Sequence, residues 1–199
     1  RVFRRNGKRG AAEGARPVGR QLLHVLAEER PLVVWLDDVQ WGLESLLFVE
    51  DVLAQSGVIR ARSLNDMLQF ARGLGVLPTP KGENIVIITG AGGSGVLLSD
   101  ACVDNDLKLM RMPKDLDTAF RAFIPPFGAA GNPVDITGGE PPQTYANTIK
   151  LGLEDPRIHS LVLGYWHTII TPPMVFAKLC AEVVEAGRRK GINKPVVAS

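Results

Sequence analysis

The sequence predicts an α/β fold: a doubly wound parallel sheet with an N-terminal helix–strand–helix appendage. Three observations predict it. From residue 84 onward, short apolar runs alternate with segments of helix length, as strands joined by crossover helices do. One run, Ile85-Val-Ile-Ile-Thr89, is apolar almost throughout, as a strand covered on both faces must be. It enters a glycine cluster, Gly90-Ala-Gly-Gly-Ser-Gly95, and leaves it as a helix-like pattern, so the cluster reads as a strand-to-helix turn.

Composition sets the bounds. With 199 residues, 45% hydrophobic and 22% charged, the chain has the makeup of a globular protein with one good core. Residues 1–20 carry seven Arg/Lys against one Glu, a charge of +6, so the total of +2 leaves −4 for the rest. The basic character therefore belongs to the tail over 1–16, which reads as disordered. Phe3 is its one aromatic residue, so no stacking platform is present and nucleic acid is not an expected partner. Cys102 and Cys180 are too far apart for a zinc or redox motif and read as small buried hydrophobes, so no metal site is expected and a reducing, cytoplasmic setting is. No signal peptide or membrane-length apolar run occurs. The chain opens at Arg1 without Met and closes on an apolar run, and it reads as a piece of something longer.

Taken in order, Pro17 opens a helix that carries Val18, Leu22, Leu23, Val25 and Leu26 on one face and stops at Pro31. Residues 31–36 form a buried strand ending on Asp37 and Asp38, two carboxylates that need solvent, partners or a cation. Arg30-Pro31, the apolar strand and Asp37-Asp38-Val-Gln-Trp41 resemble the Walker B region of AAA-type ATPase regulators. That resemblance would give Asp37 a role toward Mg²⁺ and Asp38 one toward the attacking water. The phosphate-binding half is missing, because Asn6-Gly7-Lys8-Arg9 lacks the upstream Gly and the Ser/Thr of a P-loop. An inert strand end is therefore favoured. Residues 43–55 form an amphipathic helix stopped by Gly57. Ser63-Leu-Asn-Asp66 is a capping-box variant that opens a helix over 64–73, and 78–82 is a stiff linker.

Beyond strand 85–89, a helix is expected over 94–105, a strand over 107–112 and a helix over 115–123. A short extended piece follows at 133–136, then a helix over 143–153, a strand over 160–165, a helix over 173–190 and a strand over 195–198. Right-handed crossovers put the loops after the strands on one rim, where ligands bind in such sheets.

Two stretches on that rim carry chemistry. Gly90, Gly92, Gly93, Ser94 and Gly95 fit a nucleotide-type glycine turn, whose backbone N–H groups can hold an anion at a helix N-terminus. The alternative is a tight turn that needs glycine for packing. Arg111 stands where a dinucleotide site would place its ribose carboxylate, so an NADP-binding oxidoreductase is a rival reading. The second stretch is Gly131-Asn132-Pro-Val-Asp135-Ile-Thr137-Gly138-Gly139, which turns into a helix opened by Pro141-Pro142, and Asn132, Asp135, Thr137, Gly138 and Gly139 are its expected phosphate-binding residues. Asp135 and Thr137 are expected to face the first turn, so that two helix N-termini converge on one phosphate-sized crevice. His167 follows strand 160–165 and faces the same rim. It is a weak catalytic candidate, better read as a satisfied loop histidine. His24 and His159 have no partner in sequence.

These residues carry a resemblance. Gly57-Val-Ile59, Pro80-Lys-Gly82 leading into the glycine turn, Asp100-Ala-Cys102 and above all Asn132-Pro-Val-Asp135-Ile-Thr-Gly138 make residues 56–199 resemble the C-terminal flavodoxin-like domain of the NDP-forming acyl-CoA synthetases. That superfamily includes acetate–CoA ligase and succinyl-CoA synthetase. The resemblance implies ligation of an acid to CoA coupled to ATP/ADP turnover with Mg²⁺, through a phosphohistidine. It implies as partners the phosphohistidine loop and the ATP-grasp and CoA-binding domains. It gives Gly138 and Gly139 a phosphate to stabilise that they do not carry. The family's Ser-His-Thr-Gly phosphorylation context is absent upstream of Gly57, where the ATPase-like segment stands. The chain is thus expected to be an inactive fragment when alone. A nucleotide-sensing module related to the AAA ATPases is the alternative from another class.

Overall fold

The computed structural model describes residues 53–54 and 58–199. The tail over 1–16, His24, and Asp37 and Asp38 with nearly all of the segment over 17–55 lie outside the described residues. The chain divides into two compact units, Arg1–Val76 and Leu77–Ser199, a division that falls after the helix which the resemblance placed inside 56–199.

That helix, α1 (Leu64–Val76), runs slightly past the expected Gly73. Its start is a capping box displaced by one residue. Ser63 Oγ accepts the Asp66 N–H at 3.0 Å, and the Asp66 carboxylate takes the Arg62 N–H at 3.2 Å.

The second unit is the doubly wound sheet. Its elements are β1 (Ile85–Thr89), α2 (Gly92–Asp104), α3 (Lys114–Arg121), β2 (Val134–Asp135), α4 (Pro142–Glu154), β3 (Ser160–Gly164), α5 (Pro173–Arg189) and β4 (Val196–Ala198). The four strands lie in the order β2-β1-β3-β4, and every pairing is parallel. β1 is buried along its whole length, as its unbroken apolar run requires. Val86 and Ile88 of β1, with Leu161 and Leu163 of β3, pack with Leu116 and Phe120 of α3, Ile149 and Leu153 of α4, and Phe176 of α5. The opposite face meets α2. A Cβ at Gly95 would stand 2.9 Å from the Thr89 methyl and 3.2 Å from Pro133, so only glycine lets the helix lie this close to the strand.

One expected strand is not formed. Over 107–112 the chain makes a single parallel bridge, Leu109 to Ile85, through Ile85 N–H to Lys108 O at 3.0 Å and Met110 N–H to Ile85 O at 2.9 Å. The physical reason is Asn132. Its side-chain amide sits beside β1 as a stand-in for a strand. Oδ1 accepts the Ile87 N–H at 3.0 Å, while Nδ2 donates to Ile85 O at 2.8 Å and Met110 O at 3.0 Å. Further along, Val134 and Asp135 pair with Ile88 and Thr89. One edge of β1 is thus shared by a bridge, a side chain and a short strand, and no continuous ladder is left for 107–112.

Candidate anion site at the carboxyl rim

The rim is built by three loops: β1–α2, β2–α4 and β3–α5. The first turns at Gly90. Thr89 Oγ1 accepts the Ala91 N–H at 3.1 Å and donates to Ala91 O at 2.9 Å, which fixes the turn without using the helix amides. α2 begins at Gly92, earlier than the expected Ser94, and no side chain caps it. The N–H groups of Gly92, Gly93 and Ser94 therefore have no partner within the helix. Gly92 and Gly93 are exposed, Ser94 is half-buried, and Gly90 and Gly95 are buried. Nothing lies within 4 Å of a Cβ built at Gly93, so that position opens onto space.

The second loop crosses directly over the first. A Cβ at Gly138 would stand 3.3 Å from Gly90 O, and one at Gly90 would stand 3.6 Å from Thr137 O. Asp135 Oδ1 accepts the Thr137 N–H at 2.9 Å and so forms an Asx-type turn, while Oδ2 lies 2.8 Å from a Cβ position at Gly92. Thr137 is held at φ 65°, a left-handed conformation that a β-branched residue adopts only under constraint. Gly139 is open, with nothing within 4 Å of its Cβ position.

The second helix N-terminus is poorer than the sequence suggested. Pro141 and Pro142 have no N–H, and the Thr144 N–H is spent on Pro141 O at 2.9 Å. The Glu140 carboxylate also accepts from Thr144 Oγ1 at 3.3 Å, which sets a negative charge at that end. On this side the loop at Gly138, rather than the start of α4, is what lies against the Gly90 turn.

The third loop closes the rim. Tyr165 Oη donates to Thr171 O at 2.6 Å, and Thr171 Oγ1 donates to Glu140 O at 3.3 Å, which ties it to the second loop. The Thr168 methyl stands 3.6 Å from the Gly138 Cβ position. His167 is exposed on this loop, next to that contact.

Gly90, Gly92, Asp135, Thr137 and Gly138 are therefore brought together, with open space at Gly93 and Gly139. Asn132 is not among them, because its amide is consumed at the sheet edge. Arg111 is exposed on the segment that fails to become a strand. Cys102 is buried and Cys180 half-buried, and burial pushes the Cys180 thiol up to about 12. Among the described residues, no group of His, Cys, Asp and Glu could hold a metal ion, and no helix is long and apolar enough to cross a membrane.

A protein-family model described as the Ligase-CoA domain matches residues 85–199, more than half of the chain and all of this rim. The chain belongs to the Ligase-CoA domain family. Its relatives include ADP-forming acid–CoA ligases. It is 38% identical over 144 residues to acetate–CoA ligase [ADP-forming] I subunit alpha of Pyrococcus furiosus, covering 72% of this chain and 31% of that one. It is 28% identical over 150 residues to 4-hydroxybutyrate–CoA ligase [ADP-forming] of Nitrosopumilus maritimus, covering 74% of this chain and 20% of that one. The solved structure of a dinucleotide-forming acetyl-coenzyme A synthetase 1 of Ca. Korarchaeum cryptofilum, in complex with phosphate and ADP, superposes with a TM-score of 0.82 at 27% identity. That superposition covers 95% of this chain and 43% of the other. The chain spans at most 31% of the length of these two curated relatives.

Sequence reasoning missed Tyr145, whose hydroxyl lies against Gly90 but which reads in sequence as an ordinary helix position. It also missed His159, whose Nδ1 accepts the Asn84 N–H at 3.0 Å while its ring packs on Gly82. No sequence signal marks either contact.

Proposed function

We propose that this Ligase-CoA domain serves an NDP-forming acyl-CoA synthetase as the holder of a phosphoryl group. The group would sit between the turn at Gly90, Gly92, Gly93, Ser94 and Gly95 and the turn at Asp135, Thr137, Gly138 and Gly139. The observation that carries this reading is the uncapped start of α2, open at Gly93, with the second turn brought against the first where Gly138 meets Gly90 O. The backbone amides and the helix dipole favour negative charge there. The expected ligand is a phosphoryl group carried on a histidine of another domain, since the chain lacks the family's phosphorylation context. The remaining partners are the ATP-grasp and CoA-binding domains of the parent enzyme, which supply the nucleotide and thiol chemistry. What this chain contributes is orientation and charge. Asp135 holds Thr137 in place and also sets a carboxylate beside Gly92, which limits how tightly an anion binds, as suits a group that must move on.

The test is a thermal-shift panel on the chain with inorganic phosphate, CoA, ATP and NADP. Stabilisation by phosphate is expected; stabilisation by NADP without phosphate would overturn the proposal. The chain alone is expected to make no acyl-CoA, and phosphohistidine on the purified chain after incubation with ATP would contradict the role given to another domain.

A further inference from the structure

Tyr145 belongs to no motif, yet its hydroxyl reaches the β1–α2 turn at Gly90 and lies near the start of the β3–α5 loop at Trp166. It stands on α4 with 3% of its surface exposed. Its ring packs edge-on against Phe176, with centroids 4.9 Å apart at 70°, and Phe176 in turn stacks on Tyr165 at 4.4 Å and 22°. The hydroxyl lies against Gly90 so closely that a Cβ there would overlap it. Burial pushes the pKa of the same hydroxyl up to about 12, outweighing the nearby Trp166 backbone, which acts to lower it, so the hydroxyl stays protonated over the working pH range. One oxygen therefore sets the β1–α2 turn against the body of α4, with the start of the β3–α5 loop beside it.

We propose that Tyr145 is the positioning residue of the crevice: its hydroxyl sets where the Gly90 turn stands on α4, and through Gly90 O, 3.3 Å from the Gly138 Cβ position, the spacing to the turn at Gly138 and Gly139. This rests on the anion-site reading above. A hydroxyl whose contacts were only core packing would change stability when removed. One that sets the spacing of amides around an anion changes affinity beyond its effect on stability, because amide hydrogen bonds weaken steeply with small misplacements.

The test uses the full chain and inorganic phosphate, with binding followed by ³¹P NMR and folding by thermal melts without phosphate. Tyr145→Phe keeps the ring and is expected to weaken phosphate binding about fivefold while the unliganded melting temperature moves by no more than a few degrees. Gly90→Ala drives a methyl against the hydroxyl and is expected to weaken binding as well. The double variant is expected to bind better than Gly90→Ala alone, because the obstructing oxygen is gone. Binding within twofold of the parent in Tyr145→Phe, or no recovery in the double variant, would overturn the proposal. If Tyr145→Phe does not fold, the Gly90→Ala variant decides: unchanged affinity would overturn the proposal and lost affinity would support it. Gly93→Asp places a carboxylate at the open mouth and separates the two readings. A parent chain that binds no phosphate overturns both. Binding abolished by Gly93→Asp but untouched by Tyr145→Phe overturns only the role of Tyr145.

Discussion

Asn132 gives the sharpest test of how the rim is held. Replacing it with Ala leaves the Ile87 N–H without an acceptor on a fully buried residue and takes the donor from Met110 O, whereas Ile85 O keeps its bond from Met110 N–H. An orphaned buried donor costs about 1–3 kcal/mol and each lost hydrogen bond about 1 kcal/mol, so Asn132→Ala is expected to cost about 2–4 kcal/mol. Asn132→Asp has the same shape and keeps the acceptor for Ile87, but turns a carboxylate oxygen toward two carbonyls now served at 2.8 and 3.0 Å. Those carbonyls disfavour the charged form, so the folded-state pKa of the new carboxyl is raised above its unfolded value of about 3.9. A raised pKa gives stability that is present below the unfolded value and lost as pH climbs through the folded one. Asn132→Asp should therefore be less stable than Asn132→Ala at pH 7.5 and more stable at pH 4, each compared with the parent at the same pH. Urea unfolding followed by circular dichroism measures both differences, and an unchanged slope checks that the denatured state is comparable. A loss below about 0.5 kcal/mol in Asn132→Ala, or a pH-independent gap between the two variants, would refute the role given to the amide.

Three further outcomes follow from the geometry. Gly95→Ala gains helix propensity of about 1 kcal/mol but sets its methyl 2.9 Å from Thr89 Cγ2, and thermal melts should show a net loss of about 1–3 kcal/mol. A stabilised Gly95→Ala would contradict the close approach of α2. Arg157 bonds Asp155 at 2.6 Å and Asp115 at 2.7 Å and holds both carboxyls below their usual range, so that stability is present above about pH 4 and lost as pH falls through the lowered values. Arg157→Ala should thus fall furthest below the parent near neutral pH and converge with it in acid, and a constant gap from pH 6 to pH 2.5 would count against that pairing. Burial raises both thiols, so neither Cys102 nor Cys180 should react with a thiol reagent at pH 8 until the chain unfolds.

What was legible in the sequence was what local pattern determines. β1 announces itself by an unbroken apolar run, and Gly90 to Gly95 by the demand for a close turn, since both depend on neighbours in sequence. The segment over 107–112 looked like a strand because its residues suit one. Whether it pairs depends on who holds the edge of β1, and the holder, Asn132, is distant in sequence and acts through a side chain that copies a peptide group. The same residue read as a phosphate ligand because motifs record identity and not direction. The start of α4 read as a second anion-binding terminus, yet Glu140 and the two prolines remove most of what it could offer. Tyr145 and His159 were invisible for a related reason. Their contacts, to Gly90 and Trp166 and to Asn84 and Gly82, cross between elements that only the folded sheet brings together.

The claim that one crevice receives the phosphoryl group is tested most directly by titrating the chain with inorganic phosphate and following its backbone amides by ¹H–¹⁵N NMR. The amides of Gly92, Gly93 and Ser94 should shift together with those of Gly138 and Gly139, on a single binding curve. Shifts confined to one turn, or scattered over the surface lysines with both turns silent, would contradict it.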